Sequence, residues 1–117
     1  MLKCDMLIDS KDIKSTISRL KNEENYSILL DITAVDYLKY PDITTSRYAI
    51  VYILRDSTFK KQISIKTFVD DNTLEIDSIW EFYESANWAE RETYDQYGIK
   101  FKGHPNLKRV LIHHQFI

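Results

Sequence analysis

The stretch from Ala86 to Leu111 holds most of the residues that could do chemistry. Glu90, Glu92 and Asp95 lie within two turns of a prospective helix, a spacing from which a general acid and a general base could be drawn if burial moved their pKa values apart. Arg91 sits among them. A guanidinium there would hold its neighbours ionised, and Arg91 and Asp95 are spaced for an i,i+4 pair. The expectation is therefore a salt-bridge network rather than acid–base catalysis. His104, between Gly103 and Pro105, could be a ligand or a proton carrier; the expectation is a local hydrogen bond that fixes a tight turn. His113 and His114 are adjacent, and adjacent side chains of an extended chain point to opposite sides, so they cannot chelate one ion together. No metal site is expected. Cys4 is the single cysteine, which rules out an intrachain disulfide and a thiolate cage. No nucleophile elbow and no glycine-rich turn between a strand and a helix is present, so neither a hydrolase of that kind nor a dinucleotide or phosphate cradle is expected. The expected catalytic, cofactor-binding and metal-binding sets are all empty.

The elements that must position this stretch follow from periodicity. Leu2, Cys4 and Met6 alternate with polar residues and suggest a short first strand. Ile13, Ile17 and Leu20 share one helical face, with Ser10 as the expected N-cap and an end near Asn22–Asn25. Tyr26–Thr33 returns to period two, with Ile28, Leu30 and Ile32 expected on one face. Tyr37–Ser46, containing Pro41-Asp42, reads as a loop. Arg47–Arg55 is apolar at nearly every position and rich in β-branched and aromatic residues, as a strand covered on both faces is. Lys61–Val69 alternates and should pair with it as a hairpin. From Thr73 the period turns helical, with Ile76, Ile79, Trp80 and Tyr83 as an apolar stripe. A second helix is expected over Ser85–Tyr97, stopped by Gly98, and a short extended piece over Leu107–Ile112. Strand, helix, three strands, helix and extended tail make an α+β, two-layer domain: a mixed sheet of about four strands with helices packed on one side.

Composition bounds the partners. The chain has 117 residues, enough for one domain over 1–117. Its net charge is −2 with well-mixed signs, which argues against a nucleic-acid partner. No apolar run approaches the roughly 20 residues that span a bilayer, and no secretory leader is visible. Three of the four glycines and prolines, Gly98, Gly103 and Pro105, fall together, so turn chemistry concentrates where the charged helix ends. Charge beside large aromatics on that helix is the composition of interface hot spots.

That same segment resembles the signature of the C-subunit family of respiratory complex I. The signature reads Glu-Arg-Glu, any residue, an aromatic, Asp, two residues, Gly-Ile, then Phe, Gly-His-Pro, Leu, Arg and two aliphatics. Glu90, Arg91, Glu92, Tyr94, Asp95, Gly98, Ile99, Phe101, Gly103, His104, Pro105, Leu107, Arg109, Val110 and Leu111 fall in place. Leu30–Asp36 and the pair Ile79-Trp80 ahead of Ala86-Asn87-Trp88 are similar as well. Ala89 and Gln96 depart from the pattern, where relatives carry a bulky aromatic and an apolar residue. The tail with which relatives continue is expected to be missing after Ile117.

The resemblance implies a structural subunit of the peripheral arm of an NADH:quinone oxidoreductase, on the cytoplasmic side of the membrane. It implies membership of an oxidoreductase and translocase, with no cofactor and no catalytic residue in this chain itself. Its expected partners are the D and B subunits of complex I and other peripheral-arm subunits, with the D subunit, which carries the quinone site, braced by this chain. Contact with the membrane is expected only through the complex. The expected interface is formed by Trp88, Glu90, Arg91, Glu92, Tyr94, Asp95, Gly98, Phe101, Gly103, His104, Pro105 and Arg109. Energy-converting hydrogenases carry an equivalent subunit with the same signature and are the alternative. An unrelated small binding module is a further possibility that partner recovery would separate.

Overall fold

The computed structural model of the chain describes residues 5–37, 47–58 and 60–104. Four strands form one mixed sheet in the order β1-β4-β3-β2, where β1 is Met6–Ile8, β2 Ile28–Asp36, β3 Tyr48–Arg55 and β4 Gln62–Phe68. β2 with β3 and β3 with β4 are antiparallel, and β1 joins β4 in parallel. Two short strands, β5 (Glu75–Asp77) and β6 (Lys100–Lys102), pair in parallel as a separate ribbon. The helices are α1 (Ile13–Glu23) and α2 (Ala86–Tyr97). The α+β expectation of a mixed four-stranded sheet with helices on one side is met.

Register sorts the side chains into two faces. Ile50, Tyr52 and Leu54 of β3 stand opposite Thr67, Ile65 and Ile63 of β4, so these residues share the face toward the helices. Ile13, Ile17 and Leu20 of α1 and Ala86 of α2 join that core, with Ile76, Ile79, Tyr83, Ile99 and Phe101. Each large aliphatic side chain buried there contributes about 1.5–3 kcal/mol. On the other face Ala49 and Val51 are also buried, as expected for β3, beneath a layer where Tyr37 and Phe68 meet and the Lys66 ammonium lies over both rings.

The structure corrects three local expectations. Asp9, not Ser10, caps the first helical segment: its carboxylate accepts from the Lys11 N–H, and a single 3₁₀ turn over Ser10–Asp12 precedes α1. In β2 the register shifts between Leu29 and Asp31, a bulge that leaves Leu30 44% exposed and turns Leu29, with Ile32, to the core instead of Ile28 and Leu30. The third concerns residues 73–85. No helix forms there. Leu74 takes a left-handed φ of 51°, Glu75–Asp77 becomes β5, and turns carry the chain from Ile79 to α2. Ile76, Ile79 and Tyr83 are still buried, because a strand followed by tight turns can deliver the same spacing to the core. The expected features at Leu2, Cys4, residues 38–46 and residues 105–117, with Pro105, Arg109, His113 and His114 among them, lie outside the described residues.

Candidate interface

α2 and the turns after it carry the signature residues. The helix ends at Gly98, whose φ of 75° lets its N–H bond the Tyr94 carbonyl at 2.8 Å. Ile99 is then buried, and Phe101 enters the core opposite Ile76. Lys100 N–H donates to the Leu74 carbonyl and Ser78 N–H to the Lys102 carbonyl, each at 2.8 Å, so β6 is stitched to the β5 segment at both ends. Gly103, with a φ of 88°, turns the chain, and His104 N–H closes that turn on the Phe101 carbonyl. The His104 ring reaches back: Nε2–H donates to the Asn87 carbonyl at 2.9 Å, tying the end of the motif to the first turn of α2. Burial lowers the pKa of His104, the Asn87 bond opposes this, and the nearby Arg91 cation lowers it further. His104 therefore works as a neutral structural tie. Its side chain bonds at longer range than the local contact expected of it.

The inward face of α2 is unusual. Ala86, Glu90 and Thr93 are its buried residues, so a carboxyl group occupies the position where an aliphatic side chain would ordinarily lie. Glu90 is 0% exposed. It accepts from Ser78 Oγ at 2.5 Å and from the Ile79 N–H at 2.9 Å. Burial pushes its pKa up to about 7, against the pull of those two donors. The expectation of an ionised network around Arg91 is corrected here. Glu90 points away from Arg91 into the core, and among the described residues no ion pair joins Arg91 to Asp95. Arg91 lies instead over the Trp88 ring, with its guanidinium carbon 5.4 Å from the ring centre. Helical phase decides this: Arg91 is one turn from Trp88 along the outer face, while Glu90 is one turn from Ala86 along the inner one.

The predicted interface residues thus divide. Glu90, Gly98, Phe101, Gly103 and His104 shape and anchor the motif. Trp88, Glu92 and Asp95 are exposed, and Arg91 and Tyr94 half-buried, on the outer surface. Sequence reasoning missed Ser78, which is buried and holds Glu90, and Asn87, which holds His104. The phase of Glu90 with Ala86 and Thr93 was a legible sign that Glu90 needed such a donor. Among the described residues no group of three or more histidines, cysteines and carboxylates is placed to hold a metal ion, and no helix is long and apolar enough to cross a membrane.

Comparison with known proteins agrees with this geometry. Residues 6–117 match the family model described as "respiratory-chain NADH dehydrogenase, 30 Kd subunit". The chain is 39% identical over 105 residues to the C subunit of NADH-quinone oxidoreductase from Trichlorobacter lovleyi, covering 90% of this chain and 63% of that one. It is 33% identical over 135 residues to the subunit of the same name from Francisella philomiragia, covering 93% of this chain and again 63% of the relative. The chain therefore spans somewhat less than two thirds of the length of these relatives. Among solved structures it superposes on a trypsin-resistant fragment of Nqo5 with a TM-score of 0.77 at 31% identity, over 85% of this chain and 78% of that one. A chain of an archaeal membrane-bound sulfane sulfur reductase shares the fold, with a TM-score of 0.75 at 23% identity over 87% of this chain and 58% of that one.

Proposed function

The chain belongs to the family of the 30 kDa subunit of respiratory-chain NADH dehydrogenase, and on that premise we propose that it is a structural subunit in the peripheral arm of an NADH:quinone oxidoreductase. In this reading it braces the D subunit, which carries the quinone site. It lies near the B subunit on the cytoplasmic side of the membrane, and leaves NADH oxidation and quinone reduction to its neighbours. It contributes shape, not electrons.

The observation that carries the reading is the division of α2 into two faces. The inner face is locked by Glu90 to the Ser78–Ile79 segment, and the far end of the motif is tied to Asn87 by His104. A helix held this firmly presents Trp88, which is 62% exposed, and Arg91 on a preformed outer surface. Large aromatics and arginine held in one geometry are what a docking surface needs, because little side-chain entropy is then lost on association.

Affinity purification of the full chain from gently solubilised membranes, followed by mass spectrometry, tests this. Recovery of the D and B subunits together with NADH-binding subunits is the expected result. Recovery of a nickel–iron hydrogenase pair would move the chain to the energy-converting hydrogenases, and recovery of no other subunit would overturn the assembly reading.

A further inference from the structure

We infer that the Trp88–Arg91 edge of α2 docks a partner protein through a single carboxylate, an Asp or Glu side chain that accepts from the Arg91 guanidinium while lying against the Trp88 ring. The inference rests on the assembly reading above and names the chemistry of the partner at that surface.

Arg91 is half-buried and forms no ion pair with any described residue, although Glu92 and Asp95 stand on the same helix. Among the described residues the buried Nε finds no hydrogen-bond partner, nor does the side-chain oxygen of Asn87 one turn earlier, so no polar contact within the described fold holds the guanidinium. A partly desolvated cation that no described residue neutralises is costly, and the cost is relieved when a partner supplies a carboxylate. The Trp88 ring already holds the guanidinium at 5.4 Å, so the arginine is oriented before the partner arrives. Trp88 itself, 62% exposed, offers apolar area around the charge, which would exclude water from the pair once covered.

Charge selects the kind of partner. Glu84 and Glu92 are exposed around this edge. A densely anionic surface, such as an acidic membrane or a nucleic acid, would be repelled by them. One carboxylate on an otherwise neutral or basic protein surface would reach Arg91 while its neighbours met those acids favourably.

The test uses the complex purified through the full chain, as wild type and as the Arg91→Lys, Arg91→Ala and Trp88→Ala variants. Arg91→Lys keeps the cation but provides an amine, which a carbodiimide condenses with a touching carboxylate to give an amide, with loss of water to the reagent. The expected result is a zero-length cross-link from position 91 to an Asp or Glu of another subunit, absent in wild type and located by mass spectrometry. Arg91→Ala and Trp88→Ala should each lower recovery of that subunit, on the order of tenfold, while circular dichroism of the chain is unchanged. Wild type that recovers its subunits, with no position-91 cross-link to a partner or with undiminished recovery by a folded Arg91→Ala chain, overturns this inference and leaves the assembly reading standing. Should Arg91→Ala fail to fold, the Arg91→Lys cross-link decides alone. Wild type that recovers no subunit overturns both.

Discussion

Glu90 of α2 and Ser78 after β5 meet at 2.5 Å where no part of Glu90 is exposed, the serine hydroxyl donating to the carboxyl oxygen. With the Ile79 N–H on its other oxygen, this one side chain joins the signature helix to the segment that precedes it. A carboxyl group in that position must give up hydration, and the cost falls on its charged form.

The stability of the chain should therefore carry a pH signature of Glu90. Its pKa is about 7 when folded against an ordinary value of 4.5, so the folded state holds the proton more tightly. The contribution is fully present below pH 4.5 and is lost as pH rises through 7. At about 1.4 kcal/mol per unit, the loss amounts to about 3 kcal/mol. His104 acts in the opposite sense, since its lowered pKa costs stability as pH falls below 6.5. Comparing wild type with Glu90→Gln in denaturant titrations from pH 4 to 8 cancels His104 and isolates Glu90. The wild-type curve should fall toward the variant's, or below it, as pH rises; parallel curves would mean that Glu90 keeps its ordinary pKa in the fold.

Gly98 is the next point at which one residue type matters. Its φ of 75° is open to glycine at no cost, and a Cβ built there meets nothing within 4 Å. Gly98→Ala should therefore lose only the left-handed backbone term, about 1–2 kcal/mol, with no steric penalty added. Denaturant unfolding measures this. A loss above about 4 kcal/mol would indicate a clash that the geometry does not contain, since strain of this kind stays near 1–3 kcal/mol.

What could be read from the sequence divides along physical lines. α2 and its Gly98 stop were legible because glycine in the left-handed region is a local requirement, independent of the rest of the fold. The β3–β4 hairpin was legible because its apolar run and its alternation differ in period. The segment around Ile76, Ile79 and Tyr83 was not, because helical spacing of apolar residues also arises when a three-residue strand is followed by turns; the deciding partner, β6, lies more than twenty positions further along the chain. The bulge at Leu30 was hidden for a similar reason, since only pairing with β3 reveals the shift. In the candidate interface the residue types were legible and their directions were not. Arg91 was expected to hold the acids, yet Glu90 turns inward and Arg91 stacks on Trp88.

Two buried tyrosines should respond in opposite ways to loss of the hydroxyl. Tyr83 Oη donates to the Tyr26 carbonyl at 2.5 Å, linking the turn before α2 to the start of β2, and burial pushes its pKa up to about 12. Tyr83→Phe strands that carbonyl and should cost about 1–3 kcal/mol. Tyr52, at the centre of β3, is fully buried, and its hydroxyl finds no hydrogen-bond partner among the described residues. Burial raises its pKa well above the ordinary value, and the Glu90 carboxylate raises it further, so the hydroxyl stays protonated. Its desolvation is uncompensated in the folded chain. Tyr52→Phe keeps the ring and the packing while removing that burden, so it should be neutral or stabilising by about 1 kcal/mol. Denaturant unfolding of the two variants side by side checks both signs. Destabilisation by Tyr52→Phe to the same degree as Tyr83→Phe would mean that the Tyr52 hydroxyl has a bonded partner after all.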